Sequence, residues 1–278
     1  MGWAELLIPP IFPFLLILEF CVILTREGVK QIRIAYKIPF YMYFANTLLS
    51  GTTALGLFSA TQNIFSMFAP FVVQTQIWGV VYAYLVWEFS HYVYHYTSHK
   101  VRLLWCFHSP HHAPAHMNLS VLHSGFPLQG AYAIFVRTGI CTLLGVSAPL
   151  LAFAMVVDGC WGALIHVSET VWPDGSIRGF LGSILISPIH HRIHHARNPE
   201  YTDKNYCNAL SLWDRIFGTF QSEIPGIKPI YGIQRNVDYD SFLDIYLGEL
   251  KSLYLDAAGA KTLKDKLLLF VMPPGWAP

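Results

Sequence analysis

The chain has 278 residues, of which 54% are hydrophobic and 13% charged, and its mean hydropathy is +0.41. A soluble domain carries about a quarter charged residues, so both disorder and an ordinary water-soluble globule are excluded. A formal net charge of +1, counting histidine as neutral, gives no basis for a nucleic-acid partner.

Residues Trp3 to Thr25 form an apolar run broken only by Glu5 and Glu19, long enough to cross about 30 Å of hydrocarbon. With no basic stretch ahead of it and no small-residue cleavage site before Arg26, it reads as a span and not as a cleavable signal. Ile38 to Trp87 contains no charged residue at all. That tract is too long for one helix, and the polar patch Ser59-Ala60-Thr61-Gln62-Asn63 is the expected break between spans at 40–60 and 67–90. Gln129 to His166 is a further apolar tract, interrupted by Gly145-Val146-Ser147-Ala148-Pro149, and its length suits a helical hairpin. Arg137 within it is expected to snorkel to the interface. Arg26, Lys30, Arg33 and Lys37, opposed by Glu27, mark the connection between the first two spans as cytoplasmic. An even number of later crossings returns every histidine cluster to that side. Beyond residue 170 the composition turns polar, as in a cap. Leu243, Tyr246, Leu250 and Leu253 recur at helical spacing within 241–255, and Leu263 to Val271 is a second apolar helical candidate. The five cysteines are scattered without a CxxC pair and read as small core residues in a reducing compartment.

Histidine is the anomaly, at 13 residues against 17 acids. His91, His95 and His99 stand at i, i+4 and i+8, which on a helix places their rings on one face, with Glu88 a turn earlier. His108, His111 and His112 form an HxxHH pattern, and His191, His194 and His195 repeat it, with His190 immediately before. A lone histidine is usually a hydrogen-bonded core or surface residue, but three spaced clusters at this frequency point to metal. Eight or nine imidazoles exceed what one ion takes, so two metals are expected. Imidazole suits zinc, iron, copper or nickel. A paired site at a membrane face, with no Gly-x-Ser-x-Gly elbow, no HExxH and no cysteine–histidine pair, fits oxygen chemistry on a lipid better than hydrolysis. Metal transport would put ligands at the bilayer midplane in broken helices, whereas these boxes lie in hydrophilic segments. No glycine-rich flavin or nucleotide motif appears, so no bound nucleotide cofactor is expected and electrons would come from a separate partner.

The order HxxxH, HxxHH and a distant HxxHH resembles the fatty acid hydroxylase / sterol desaturase superfamily of membrane di-iron oxygenases. Leu103-Leu104-Trp105 and Ser187-Pro188 ahead of the second and third boxes match it, as do Asp203-Lys204-Asn205-Tyr206 and Trp213-Asp214-Arg215-Ile216-Phe217-Gly218-Thr219. The latter segments look most like the branch that includes alkylglycerol monooxygenase. The chain departs from the pattern at Tyr96, where Arg is usual, at His91, where Tyr is usual, and at Glu88, where Asp is usual.

The resemblance implies an all-α integral membrane fold of about four to five transmembrane helices under a cytoplasmic helical cap that holds a histidine-rich dimetal site. It implies one membrane-embedded domain over 1–278 with a fatty acid hydroxylase-like core over 80–225, multi-pass in the endoplasmic reticulum or a bacterial inner membrane. Carried over residue by residue, the ligands to two Fe ions are His95, His99, His108, His111, His112, His166, His191, His194 and His195. Supporting positions around the imidazoles are Glu88, Asp158, Asn205 and Asp214, and His91, His116, His123 and His190 lie outside the ligand set. The implied activity is O2-dependent hydroxylation of an unactivated C–H of a lipid (fatty acyl, alkylglycerol or sterol-like), with a desaturase on the same core as the alternative. The implied electron donor is cytochrome b5-type, a ferredoxin or a flavoprotein reductase.

Overall fold

The structure, a computed structural model, describes residues 11–50 and 53–278. Among these the regular structure is helical, joined by loops, with isolated bridges between Leu185 and Leu210 and between Ala196 and Tyr231 as the only strand-like pairing. The first apolar tract is helix α1 (Ile11–Glu27), its first residues lying outside the described range. Gly28, at φ 85°, turns the chain directly into α2 (Val29–Ser50). The basic residues Lys30, Arg33 and Lys37 therefore ride on a helix and not in a loop. The polar patch 59–63 is also helical, inside α3 (Thr53–Ser66), and the break falls later, at 67–76, before α4 (Ile77–Lys100). Ser, Thr and Asn lower helix propensity by only tenths of a kcal/mol, and α3 lies packed along the hairpin helix α6, which overrides so small a preference.

Val101 is extended and ends α4, after which α5 (Arg102–His112) turns back with the first HxxHH box. A short 3-10 turn, Leu119–His123, leads to the expected hairpin of α6 (Pro127–Leu143) and α7 (Ala148–Ile165). Ala148–Ile165 is the one helix among the described residues that is long and apolar enough to cross a membrane by length and composition. Helices α4, α6 and α7 close on a core of Ala83, Trp87, Cys141, Leu150, Leu151 and Met155. Arg137 does not snorkel. It meets Asp158 of the facing helix at 2.5 Å and lies 3.8 Å over the Trp87 ring, because the partner carboxylate is inside the molecule.

The remaining chain forms the lobe that covers the ends of α4 and α5. It carries α8 (Gly179–Ile184), α9 (Pro188–His194), α10 (Leu212–Ile216), α11 (Phe242–Gly259) and α12 (Leu263–Val271). On α11 the apolar stripe is partly engaged. Leu253 packs with Cys106 and Leu269, while Leu243 stays exposed. All five cysteines are free. Glu19, the acid of the first apolar tract, is buried and takes hydrogen bonds from Leu119 N and Ser168 N, both at 2.7 Å, and from the Tyr36 hydroxyl at 3.0 Å. One carboxylate thus ties α1 to α2 and to the segments flanking the hairpin.

Candidate metal centre

Helix periodicity brings His95 and His99 to one face of α4, and the two HxxHH boxes face them from α5 and α9. The nine expected imidazoles gather in two groups, each with its nitrogen atoms within 4.8 Å of one another. One is His95, His99, His108, His112 and His194, and the other is His111, His166, His191 and His195; all nine residues are buried. The boxes interlock reciprocally. In the first box the i and i+4 residues join the five-membered group and the i+3 residue crosses to the other. In the second box the i and i+4 residues join the four-membered group and the i+3 residue crosses back. A helical turn separates i+3 from i and i+4 by enough rotation for one short helix to serve both groups.

Main-chain carbonyls orient the rings. His95 Nδ1 meets Tyr206 O at 2.8 Å, His194 Nδ1 meets Lys204 O at 2.8 Å, His111 Nδ1 meets Val121 O at 3.0 Å, and His166 Nδ1 meets Gly162 O at 2.5 Å. A carbonyl only accepts, so these four rings carry the proton on Nδ1 and present an Nε2 lone pair. His111 and His166 then face each other Nε2 to Nε2 at 3.5 Å, and His194 Nε2 is buried without a hydrogen-bond partner. Lone pairs opposed in this way are repulsive by themselves, and a cation between them satisfies both groups; the donor set fits a borderline transition-metal ion. Burial, then repulsion from neighbouring imidazoles, holds His111, His112, His191 and His195 well below the usual imidazole range. Burial likewise lowers His194 to about 4, against the opposing pull of the Lys204 carbonyl. The rings are neutral, as ligands must be.

The four expected supporting residues touch no imidazole of either group. Asp214 accepts Tyr206 N and Cys207 N at 2.8 Å each, and Asn205 binds His190 O, Gln221 O and Gln221 N. Together they fix the loop that offers the Lys204 and Tyr206 carbonyls. Asp203 and Asn205 hold left-handed backbone there, φ 62° and 57°, a conformation Asx residues tolerate. Glu88 accepts Leu210 N at 2.9 Å, and Asp158 accepts from Asn208 at 2.7 Å and lies 3.9 Å from His91. His91, His116, His123 and His190 stay outside both groups. His116 bonds Gln31, His123 packs edge-on against Phe12, and His190 accepts from Ser187 N. Sequence reasoning missed Asp203, whose carboxylate stands 3.8 Å from His99 Nδ1, and Gln129, 2.8 Å from His108 Nδ1. The Asp203-Lys204-Asn205-Tyr206 run was the available signal for the first; a lone glutamine at a helix start offers none. A cavity of about 350 Å³ opens from the cap onto His99, His112 and His194, walled by Trp105, Arg102, Arg197 and Arg235.

Fold and site together define a helical protein built around a buried, two-lobed imidazole cage between an apolar hairpin and a polar cap. The chain belongs to the fatty acid hydroxylase family, whose profile matches residues 80–219. It is similar to alkylglycerol monooxygenase of Homo sapiens, at 28% identity over 204 residues that make up 72% of this chain and 43% of that protein. The Danio rerio alkylglycerol monooxygenase is 30% identical over 208 residues, 72% of this chain and 43% of the relative. Ornithine lipid hydroxylase OlsE of Rhizobium tropici is 28% identical over 145 residues, 51% of this chain and 42% of the relative. The chain spans less than half the length of these curated relatives. No solved structure gives a significant match.

Proposed function

We propose that this chain is a membrane-bound, O2-dependent lipid hydroxylase, an oxidoreductase that holds one iron ion in each imidazole group. The observation that carries the reading is the reciprocal sorting of the two HxxHH boxes into two buried groups, in a family whose relatives are named as a monooxygenase and a lipid hydroxylase. The ligands are His95, His99, His108, His112 and His194 in one group, and His111, His166, His191 and His195 in the other. When bound, the iron pair supplies the chemistry that places one oxygen atom of O2 into a C–H bond, the other leaving as water with two electrons and two protons from a separate donor protein. The chain's own residues orient the rings through carbonyls, keep them neutral by burial, and wall the five-membered group with Trp105. Glu88, Asp158, Asn205 and Asp214 act through the backbone and the neighbouring helices.

The membrane reading rests on the helix faces. Phe14, Ile17, Leu18, Phe40, Phe44, Leu55, Ile64, Trp78 and Phe153 are exposed on α1, α2, α3, α4 and α7, an apolar surface suited to lipid. Arg26 reaches Thr170 O at 2.8 Å, which puts the basic end of α1 beside the segment after His166. That supports a multi-pass chain, one domain over 1–278, with the cage on the cytoplasmic side. Anaerobic purification, iron quantitation and product analysis under isotope-labelled O2 test the proposal. About two irons per chain and one labelled oxygen in a lipid product are expected. An unlabelled, unsaturated product, or a chain that binds no iron, overturns it.

A further inference from the structure

We propose that Gln129 is a positioning residue for the cage. Its side-chain amide sets which nitrogen of His108 carries the proton, and so whether His108 Nε2 is free to bind a cation. The inference rests on the metal-binding reading above and deepens it. Carbonyls, which only accept, hold the Nδ1–H of His95, His111, His166 and His194. His108 is held differently. Its Nδ1 faces Gln129 Nε2 at 2.8 Å, and the same amide nitrogen donates to the Tyr94 hydroxyl at 2.8 Å. Gln129 Oε1 is left buried with no hydrogen-bond partner.

With an amide N–H donating to Nδ1, the His108 proton sits on Nε2, which lies 3.1 Å from both His95 Nε2 and His112 Nε2. His95 Nε2 must accept, since its Nδ1–H is committed to Tyr206 O. The proton on His108 Nε2 thus closes that one nitrogen to a cation, while His194 Nε2 in the same group stays without a partner. A cation needs the His108 Nε2 lone pair, so the proton moves to Nδ1, where it requires an acceptor. A half-turn of the Gln129 amide supplies one, bringing the orphaned Oε1 onto both the His108 Nδ1–H and the Tyr94 O–H. Glutamine presents a donor and an acceptor of nearly equal shape, so one side chain serves both states. Space for the amide depends on Gly125, where a Cβ would lie 2.6 Å from Oε1. Gln129 sits in the first turn of α6, so the apolar hairpin itself bears on the five-membered group.

The test is Co2+ titration of the metal-free full chain in lipid nanodiscs, following bound equivalents and the visible ligand-field bands. Gln129→Met, which removes donor and acceptor, is expected to weaken one of the two binding events by about ten- to a hundredfold. Gly125→Ala, which displaces the amide, is expected to do the same. Gln129→Glu, which keeps an acceptor alone, is expected to bind Co2+ at least as tightly as the wild type, with shifted bands. His108→Ala is the reference for loss of the ligand. Unchanged affinity and bands in Gln129→Met, or equal weakening in the Glu and Met variants, overturns the role of Gln129 while leaving the cage intact. Retention of both equivalents by His108→Ala overturns the cage assignment and this inference with it.

Discussion

The rings of His112 and His195 stack with centroids 4.3 Å apart and planes 21° apart, although they belong to different imidazole groups. The two groups therefore share a wall, and His112 also meets His99, His108 and His194. Among the imidazoles of the described residues, His166 meets His111, His191 and His195, all of its own group. His166→Ala is expected to leave about one bound iron per chain, and His112→Ala less than one, with lipid product falling more than about a hundredfold in both. Metal analysis of the two variants side by side checks this; equal retention of two irons in both would contradict it.

Asp214 is fully buried, and each of its oxygens accepts one main-chain N–H, from Tyr206 and from Cys207. Hydrogen bonds to a charged group contribute about 1.5–3 kcal/mol each, and a buried donor left unmade costs a similar amount. Asp214→Ala is expected to lower the thermal midpoint strongly and to release iron, since the Tyr206 carbonyl no longer aims at His95. Asp214→Asn, which keeps one acceptor, should lie between. A wild-type midpoint in Asp214→Ala would refute the loop's role.

Arg137 and Asp158 form an ion pair with side chains 14% and 7% exposed. Removing one partner of a buried pair costs about 3–5 kcal/mol, whereas replacing both with apolar groups of similar volume costs far less. Arg137→Met and Asp158→Leu are each expected to destabilise the chain, and the double variant to recover most of the loss. Denaturation of the four proteins in the same detergent measures the coupling, and simple additivity would show that the two side chains do not stabilise one another.

The metal-free cage is expected to be acid-sensitive. His194 titrates near 4 when folded against about 6.5 when unfolded, so between those values the unfolded chain binds more protons. The stability contributed by the neutral His194 ring is full above about pH 6.5, erodes as the pH falls, and is gone once the pH passes below about 4, while the rings held lower still add to the loss in the same direction. A thermal midpoint of metal-free protein that does not drop between about pH 7.5 and 5 would contradict the burial of these rings.

Much of this architecture could be read from residue order alone. The i, i+4 spacing of His95 and His99, the two HxxHH boxes and the Gly145–Pro149 interruption are local patterns, and helix periodicity is local physics. Two places where the reading failed are those where a distant partner decides. Packing against α6 keeps 59–63 helical, and Asp158 keeps Arg137 inside.

Residue spacing by itself determined that His95 and His99, and the three histidines of each HxxHH box, would share helical faces, while His166 entered the set only through the family resemblance. Only the tertiary structure decided how they are shared, five to one group and four to the other, with the middle histidine of each box crossing over. It also decided that carbonyls of the 204–206 loop, Val121 and Gly162, together with the Gln129 amide, orient the rings in place of the acids the sequence offered. The physical reason is that a main-chain carbonyl has no side-chain identity: its hydrogen bond is written in the path of the chain and not in the alphabet of residues.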